Sequence, residues 1–199
     1  VSRPIEGKSA VYIVEVTDKD GRINWSWDIK DIISFIRAFS NKSYGYSTGK
    51  KLSHNTFLPK SHKVVQNIYD KLSKIIGIDS DHFEQLQVVR YEPGQQYKPH
   101  WDACWEEHKC GEFMKQGGQR YATFLLYLND DFTGGETAFP YRNIKVKPQK
   151  GKAALFFNLE KDNKTKLEKS YHAGLPPETG VKWLCNVWIR LNKIPEKYQ

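Results

Sequence analysis

"LQVVRYEPGQQYKPHWD", residues 86–102, marks the point where the chain changes character. Upstream of it, apolar residues recur at helical spacing; from about residue 85 onward they fall into short strand-like runs separated by turn residues. The segment opens with "LQVVRY", turns at Pro93 and Gly94, and ends with His100 and Asp102 two positions apart. The runs that follow are "RYATFLLYL", "ETAFP", "IKVKP", "AALFFNL" and "VKWLCNVWIRL". Many short strands in succession are the signature of a β-sandwich or barrel. "EKDNKTKLEKS", residues 160–170, reads as a charged surface loop between strands.

Working back from that boundary, "VYIVEV" (11–16) reads as a strand and "DKDG" as a turn. In "DIKDIISFIRAF", Asp28 can cap a helix whose apolar positions are Ile29, Ile32, Ile33, Ile36 and Phe39. "SNKSYGYSTGKKLSHN" is polar and reads as an exposed loop. The spacing predicts a second helix in "SHKVVQNIYDKLSKIIG", capped by Ser61, striped by Val64, Val65, Ile68, Leu72 and Ile75, and ended by Gly77. The expected fold class is α+β, mainly β, with these helices packed outside one sheet, because a sheet face needs cover. A length of 199 residues suits one domain. Residues 1–84 would supply the N-terminal strand, helices and lid region, and 85–192 the β core.

No apolar run reaches the length of a membrane helix. The formal charge of +8 comes from lysines spread along the chain, without a dense basic block, so it suits solubility and anionic ligands better than nucleic acid. Three cysteines are too few for a disulfide framework. Cys104 and Cys110 could bridge a local loop, while Cys185 sits in an apolar run and packs. The chain starts at Val1 without an initiator Met, which leaves room for an upstream targeting or anchor segment. The compartment and the oligomeric state stay open.

Side chains two apart in a strand share a face, so His100 and Asp102 can converge on one small ion while Trp101 points the other way. His54, His62 and His82 read as solvated residues. Cys104, His108 and Cys110 offer zinc three ligands without a clear fourth. His172 differs, since it begins "HAGLPPETGVKWL" and a hairpin-like return would bring it near Lys182. A His-x-Asp pair with one distant His is the donor set for Fe(II) held on one triangular face, with the opposite positions free for substrate and O2. A 2-oxo acid chelating there would bury its far carboxylate, and Lys182 is the cation to neutralise it. Tyr91, Tyr127 and Thr137 can add hydroxyl donors. Taken singly, each of these residues has a bland explanation in a structural pair, a turn or a surface lysine; their order and spacing together point to the metal site.

These residues resemble the 2-oxoglutarate- and Fe(II)-dependent dioxygenases, and more closely the prolyl 4-hydroxylase family. The likeness rests on the opening segment, on "GGQRYATFLLYLND" with "GGETAFP", and on "HAGLPPETGVKWLCNVWIR", with "KLSHNTFLP" near that family's mobile lid, and it spans roughly residues 50–191. It implies a double-stranded β-helix, or jelly roll, with iron on His100, Asp102 and His172. It also implies 2-oxoglutarate on Lys182 with Tyr91, Thr137 and Tyr127, ascorbate to keep the iron reduced, and a proline-rich or collagen-like peptide as substrate. Tyr97, Arg120 and Trp188 match positions that contact the peptide, and Arg190 stands where some members have histidine and is expected at the peptide as well. Trp101 replaces a tyrosine common in the family, and residues 1–48 match it poorly. Segments 41–58, with Gly45 and Gly49, and 104–118, with Gly111, Gly117 and Gly118, are the expected lids. Collagen-type members would place the protein in the endoplasmic reticulum lumen, and other members in the cytoplasm. The competing readings are the same oxygenase chemistry on another side chain, a free amino acid or a nucleobase, and a jelly-roll metal-binding module without activity.

Overall fold

The structure is a computed structural model that describes residues 11–15, 53–106 and 110–198. The helix expected over 28–39, and the loop with Gly45 and Gly49, lie outside the described residues. Twelve strands occur among the described residues: β1 (Val11–Glu15), β2 (His54–Leu58), β3 (Leu86–Tyr91), β4 (Tyr97–His100), β5 (Arg120–Tyr127), β6 (Thr133–Gly134), β7 (Thr137–Phe139), β8 (Ile144–Val146), β9 (Lys152–Phe157), β10 (His172–Gly174), β11 (Pro177–Thr179) and β12 (Lys182–Arg190). The helices are α1 (Lys63–Ile76) and the short α2 (Cys110–Lys115).

Antiparallel pairing builds a six-stranded sheet in the order β1-β9-β5-β12-β3-β2, a four-stranded sheet β4-β10-β7-β8, and a small ribbon β11-β6. This is the expected jelly roll. Each central strand of the large sheet feeds two cores. In β5, Phe124 and Leu126 join the cluster beneath α1, while Leu125 and Tyr127 join the cluster between the sheets. In β12, Cys185, Val187 and Ile189 face α1, and Leu184 faces the opposite sheet. Burial on both faces explains why these strands read as continuous apolar runs rather than strict alternations.

The α1 stripe follows its periodicity: Val64, Val65, Ile68 and Leu72 are buried, joined by Tyr69, while Ile75 packs half-buried at the end. Its start differs from expectation. The residue before the first turn is His62, which makes no side-chain cap, and Ser61 lies one position too early. A turn closed by the His62 N–H on the Pro59 carbonyl, at 3.1 Å, aims the chain into the helix instead. Gly77 ends it at φ 73°, with its N–H on the Ser73 carbonyl, a left-handed conformation that favours glycine.

Two further expectations change. Residues 54–58 form an edge strand paired with β3 from His54↔Arg90 to Leu58↔Leu86, not a lid loop, because Leu58 is buried in the core under α1. The predicted hairpin between His172 and Lys182 does not form: β10 belongs to the small sheet and β12 to the large one, and the intervening β11 pairs with β6. The two residues meet across the space between the sheets, both lining one cavity.

Candidate active site

The metal-ligating geometry follows from strand pairing. His100 ends β4 and Asp102 lies in the bend just beyond it; antiparallel pairing sets His172, the first residue of β10, directly opposite His100. The two imidazole centroids are 4.3 Å apart. Nε2 of His100 lies 3.5 Å from Oδ1 of Asp102, and Nε2 of His172 lies 3.8 Å from Oδ2. One donor atom from each of the three residues lies within 4.8 Å of the others, a separation that one cation can bridge.

The surroundings fix which atoms face inward. Nδ1 of His100 donates to the Lys98 carbonyl at 2.8 Å, and Nδ1 of His172 to the Ser170 carbonyl at 2.9 Å. A carbonyl only accepts, so both protons sit on Nδ1 and both Nε2 lone pairs are left for a metal. Burial, with His100 alongside, pushes the His172 imidazole down to about 4, which keeps it neutral and able to ligate. Burial opposes charge on Asp102, but the imidazoles of His172 and His100, and Arg120 beyond them, outweigh it and hold the carboxyl well below the usual range. Thr123 donates to Oδ2 at 2.7 Å and itself accepts from Asn158 Nδ2 at 2.9 Å. The sequence reading missed this pair. The signal was present as a lone hydroxyl and a lone amide in otherwise apolar strand runs.

Trp101 does point away from the ligands, into a bracket of its own. Its ring lies 4.2 Å from Tyr171 and 4.7 Å from Trp105, and the Lys166 ammonium sits 3.5 Å from its centroid. Its indole N–H donates to the Glu168 carbonyl at 3.2 Å. Residues adjacent to the metal ligands on two separate segments are thereby clamped from the side opposite the ligands.

The same cavity is lined by Tyr91, Tyr97, Thr137, Gly174, Lys182, Leu184, Asn186 and Trp188 beside the three ligands. Lys182 is 1% exposed, donates to the Gly135 carbonyl at 2.7 Å, and has no carboxylate partner among the described residues. Burial lowers its ammonium from 10.5 to about 7, and Glu136 pulls the other way. The close approach needs glycine at 135, where φ is +70° and an added Cβ would meet Phe132 at 2.8 Å and Lys182 at 3.3 Å. Tyr91 is buried with its ring 5.4 Å from the Lys182 ammonium, and Tyr127 stands behind Thr137, their hydroxyls 2.9 Å apart. Asn186, which the sequence reading did not single out, donates to Gln87 at 2.8 Å at the cavity wall.

Of the residues expected at a peptide, three border the cavity mouth. Tyr97 stacks on His100 at 3.7 Å, Trp188 lines the cavity, and the Arg120 guanidinium lies 3.7 Å over the Trp188 ring. Arg190 is a correction. It is 1% exposed, donates to the carbonyls of Phe113 at 2.9 Å and Gly118 at 2.7 Å, and pairs with Glu84 at 2.6 Å, so its guanidinium is taken up inside the fold. His82, read as solvated, donates to the Arg190 carbonyl at 3.0 Å. The described part of the 104–118 segment is pinned as well. Cys104 and Cys110 form a disulfide, which removes the thiolates a zinc cluster would need. Gln119 holds Cys104 through both its amide and its carbonyl, and Arg190 holds the other end. Cys185 is free and buried, as its apolar setting required.

Comparison with known proteins agrees with this geometry. The family described as the 2OG-Fe(II) oxygenase superfamily matches residues 86–190. A protein of Acanthamoeba polyphaga mimivirus with a provisional prolyl 4-hydroxylase name is 39% identical over 142 residues, covering 71% of this chain and 59% of that protein. Prolyl 4-hydroxylase 1 of Arabidopsis thaliana is 36% identical over 157 residues, covering 72% of this chain and 53% of that protein. This chain therefore spans little more than half the length of these relatives. The viral collagen prolyl hydroxylase of Paramecium Bursaria Chlorella virus-1, solved as a complex with 2OG, superposes with a TM-score of 0.68 at 27% identity, covering 90% of this chain and 94% of that one.

Proposed function

This chain belongs to the 2OG-Fe(II) oxygenase superfamily, and we propose that it is a prolyl 4-hydroxylase forming 4-hydroxyproline in proline-rich or collagen-like peptides. The observation that carries the reading is the convergence of His100, Asp102 and His172 in a cavity that also holds the buried ammonium of Lys182. Support for the substrate comes from the names of the relatives and from the viral collagen prolyl hydroxylase.

The residues present fit the family's cofactors. His100, Asp102 and His172 would hold Fe(II) through two imidazoles and one carboxylate, a donor set with fewer ligands than a purely structural site uses. Lys182, with Thr137 and Tyr91 near it, would hold the far carboxylate of 2-oxoglutarate by a charge-assisted hydrogen bond in a site nearly closed to water. When bound, iron and 2-oxoglutarate supply with O2 the oxidising power to replace a C–H hydrogen by hydroxyl, 2-oxoglutarate leaving as succinate and CO2. The chain's own work is positional. The Thr123–Asp102 and carbonyl–imidazole hydrogen bonds orient the ligands, and Tyr97 and Trp188 give a prolyl ring apolar faces at the cavity mouth. The Cys104–Cys110 disulfide supports an oxidising compartment, the lumenal alternative, which thiol labelling of the protein in intact cells would check by finding Cys104 blocked.

The test is to incubate the protein with Fe(II), 2-oxoglutarate, ascorbate and a panel of proline peptides. Succinate formation matched by one added oxygen per peptide is expected. Succinate that no prolyl peptide stimulates would remove the substrate while sparing the oxygenase.

A further inference from the structure

Beside the catalytic cavity lies a groove of about 380 Å³, lined by Phe57, Glu84, Gln87, Arg120, Trp188 and Tyr198 among others. Trp188 belongs to both spaces, so a chain leaving the cavity mouth can pass into the groove without crossing the core. Glu84 and Arg120 in its lining belong to a larger cluster of charges. Arg120 grips Glu84 through Nε on Oε1 and Nη2 on Oε2, both at 2.7 Å. Arg190 reaches the same Oε1 through its own Nε at 2.6 Å. Two guanidinium ions thus share one carboxylate. The ammonium of Lys60, lowered by burial, feels Asp81 first and Glu84 second, and has no hydrogen-bond partner among the described residues. Asp81, the other nearby acid, gives Oδ2 to the Lys193 ammonium at 2.7 Å, so these two acids face the charges of Arg120, Arg190, Lys60 and Lys193.

The neighbouring catalytic cavity does not absorb this excess. Fe(II) with Asp102, and 2-oxoglutarate with Lys182, together come close to neutral once the family's cofactors are in place. The positive charge around Glu84 is left facing the groove. Arg120 is its outlet, because Arg190 is sealed in the fold while Arg120 lines the groove with its Cζ 3.7 Å from the Trp188 ring centroid. With Nε and Nη2 committed to Glu84, Arg120 keeps Nη1 as an uncommitted donor among the described residues. A partly desolvated guanidinium with an uncommitted donor favours a carboxylate over a neutral acceptor.

We propose that this groove selects peptides carrying an acidic residue, Asp or Glu, beside the proline that enters the cavity. The proposal deepens the prolyl hydroxylase reading and rests on it for the identity of the ligand as a peptide.

The experiment uses the protein loaded with Fe(II) and 2-oxoglutarate under nitrogen, so that binding is read without turnover. Three proline peptides, identical except for Glu, Gln or Lys next to the central proline, are titrated at low and at high salt. Glu is expected to bind at least fivefold tighter than Gln, and Gln tighter than Lys, with the spread shrinking as salt rises. Equal affinities for Glu and Gln at low salt, or a spread indifferent to salt, overturn the proposal. Admitting oxygen separates the two claims. Hydroxylation of all three peptides with flat affinities sinks the acidic selectivity alone, whereas the expected ranking without hydroxylation upholds the selectivity and sinks the hydroxylase reading.

Discussion

Lys182 spends its charge on one carbonyl in a closed space, and that sets how the protein should respond to pH. Its ammonium is lowered from 10.5 to about 7 by burial, and a bound carboxylate raises it again. Binding of 2-oxoglutarate therefore takes up a proton near and above pH 7. Affinity should be level below about pH 7 and fall up to roughly tenfold per unit above it, as read by anaerobic titration in buffers of different ionisation enthalpy. The sign for stability is opposite. The depressed Lys182 disfavours the folded state most below about pH 7, and that cost is relieved as pH rises toward 10.5. Lys182→Met should accordingly keep or raise the melting temperature while weakening 2-oxoglutarate roughly 10- to 100-fold, the size of a lost charge-assisted hydrogen bond. Thr123→Val removes the donor to Asp102 without changing side-chain shape and should weaken iron about tenfold, measured by competition with a chelator. The ligands and Lys182 were legible in the sequence because their chemistry is uncommon in apolar strands. Thr123 and Asn158 were not, since a single hydroxyl or amide in a strand is ordinary until a charge is seen beside it.

At the scale of elements, the bracket on Trp101 joins two short strands whose own pairing is slight. β4 and β10 are four and three residues long, and their register shifts between His172 and Gly174. Contacts of the Trp101 ring with Tyr171 and Lys166, each of order 1 kcal/mol, hold the ligand-bearing ends together from behind. Trp101→Ala should weaken iron binding several-fold, whereas Trp101→Phe should retain most of the affinity; chelator competition distinguishes them. The long strands β3, β5, β9 and β12 were readable because burial on two faces makes continuous apolar runs. The pieces β2, β6, β10 and β11 were not, because strands of two to five residues carry too few apolar positions to show a period. Arg190 misled for a related reason: sequence shows its place on β12 but not the register shift between Ile189 and Arg190 that accompanies its turn into the fold.

For the molecule as a whole, the disulfide and Arg190 hold the described residues of the 104–118 segment against the end of β12. Reducing the Cys104–Cys110 bond, which closes a loop at a separation of six residues, should cost roughly 2 kcal/mol in the chain-entropy picture and lower the melting temperature by several degrees. Differential scanning calorimetry with and without reductant checks this, and peptide affinity should drop in parallel. The strand they lean on runs from Lys182 at the buried end of the cavity, past Trp188 at its mouth, to Arg190 beneath the anchored segment. Six residues at about 3.3 Å each separate Lys182 from Trp188, so β12 works as a yardstick of about 20 Å, graduated at every second residue. Substitution can relabel its marks, whereas a residue inserted between Lys182 and Trp188 would turn one of the two toward the opposite face of the sheet, so the span from anchor to mouth is set by the count of residues in β12.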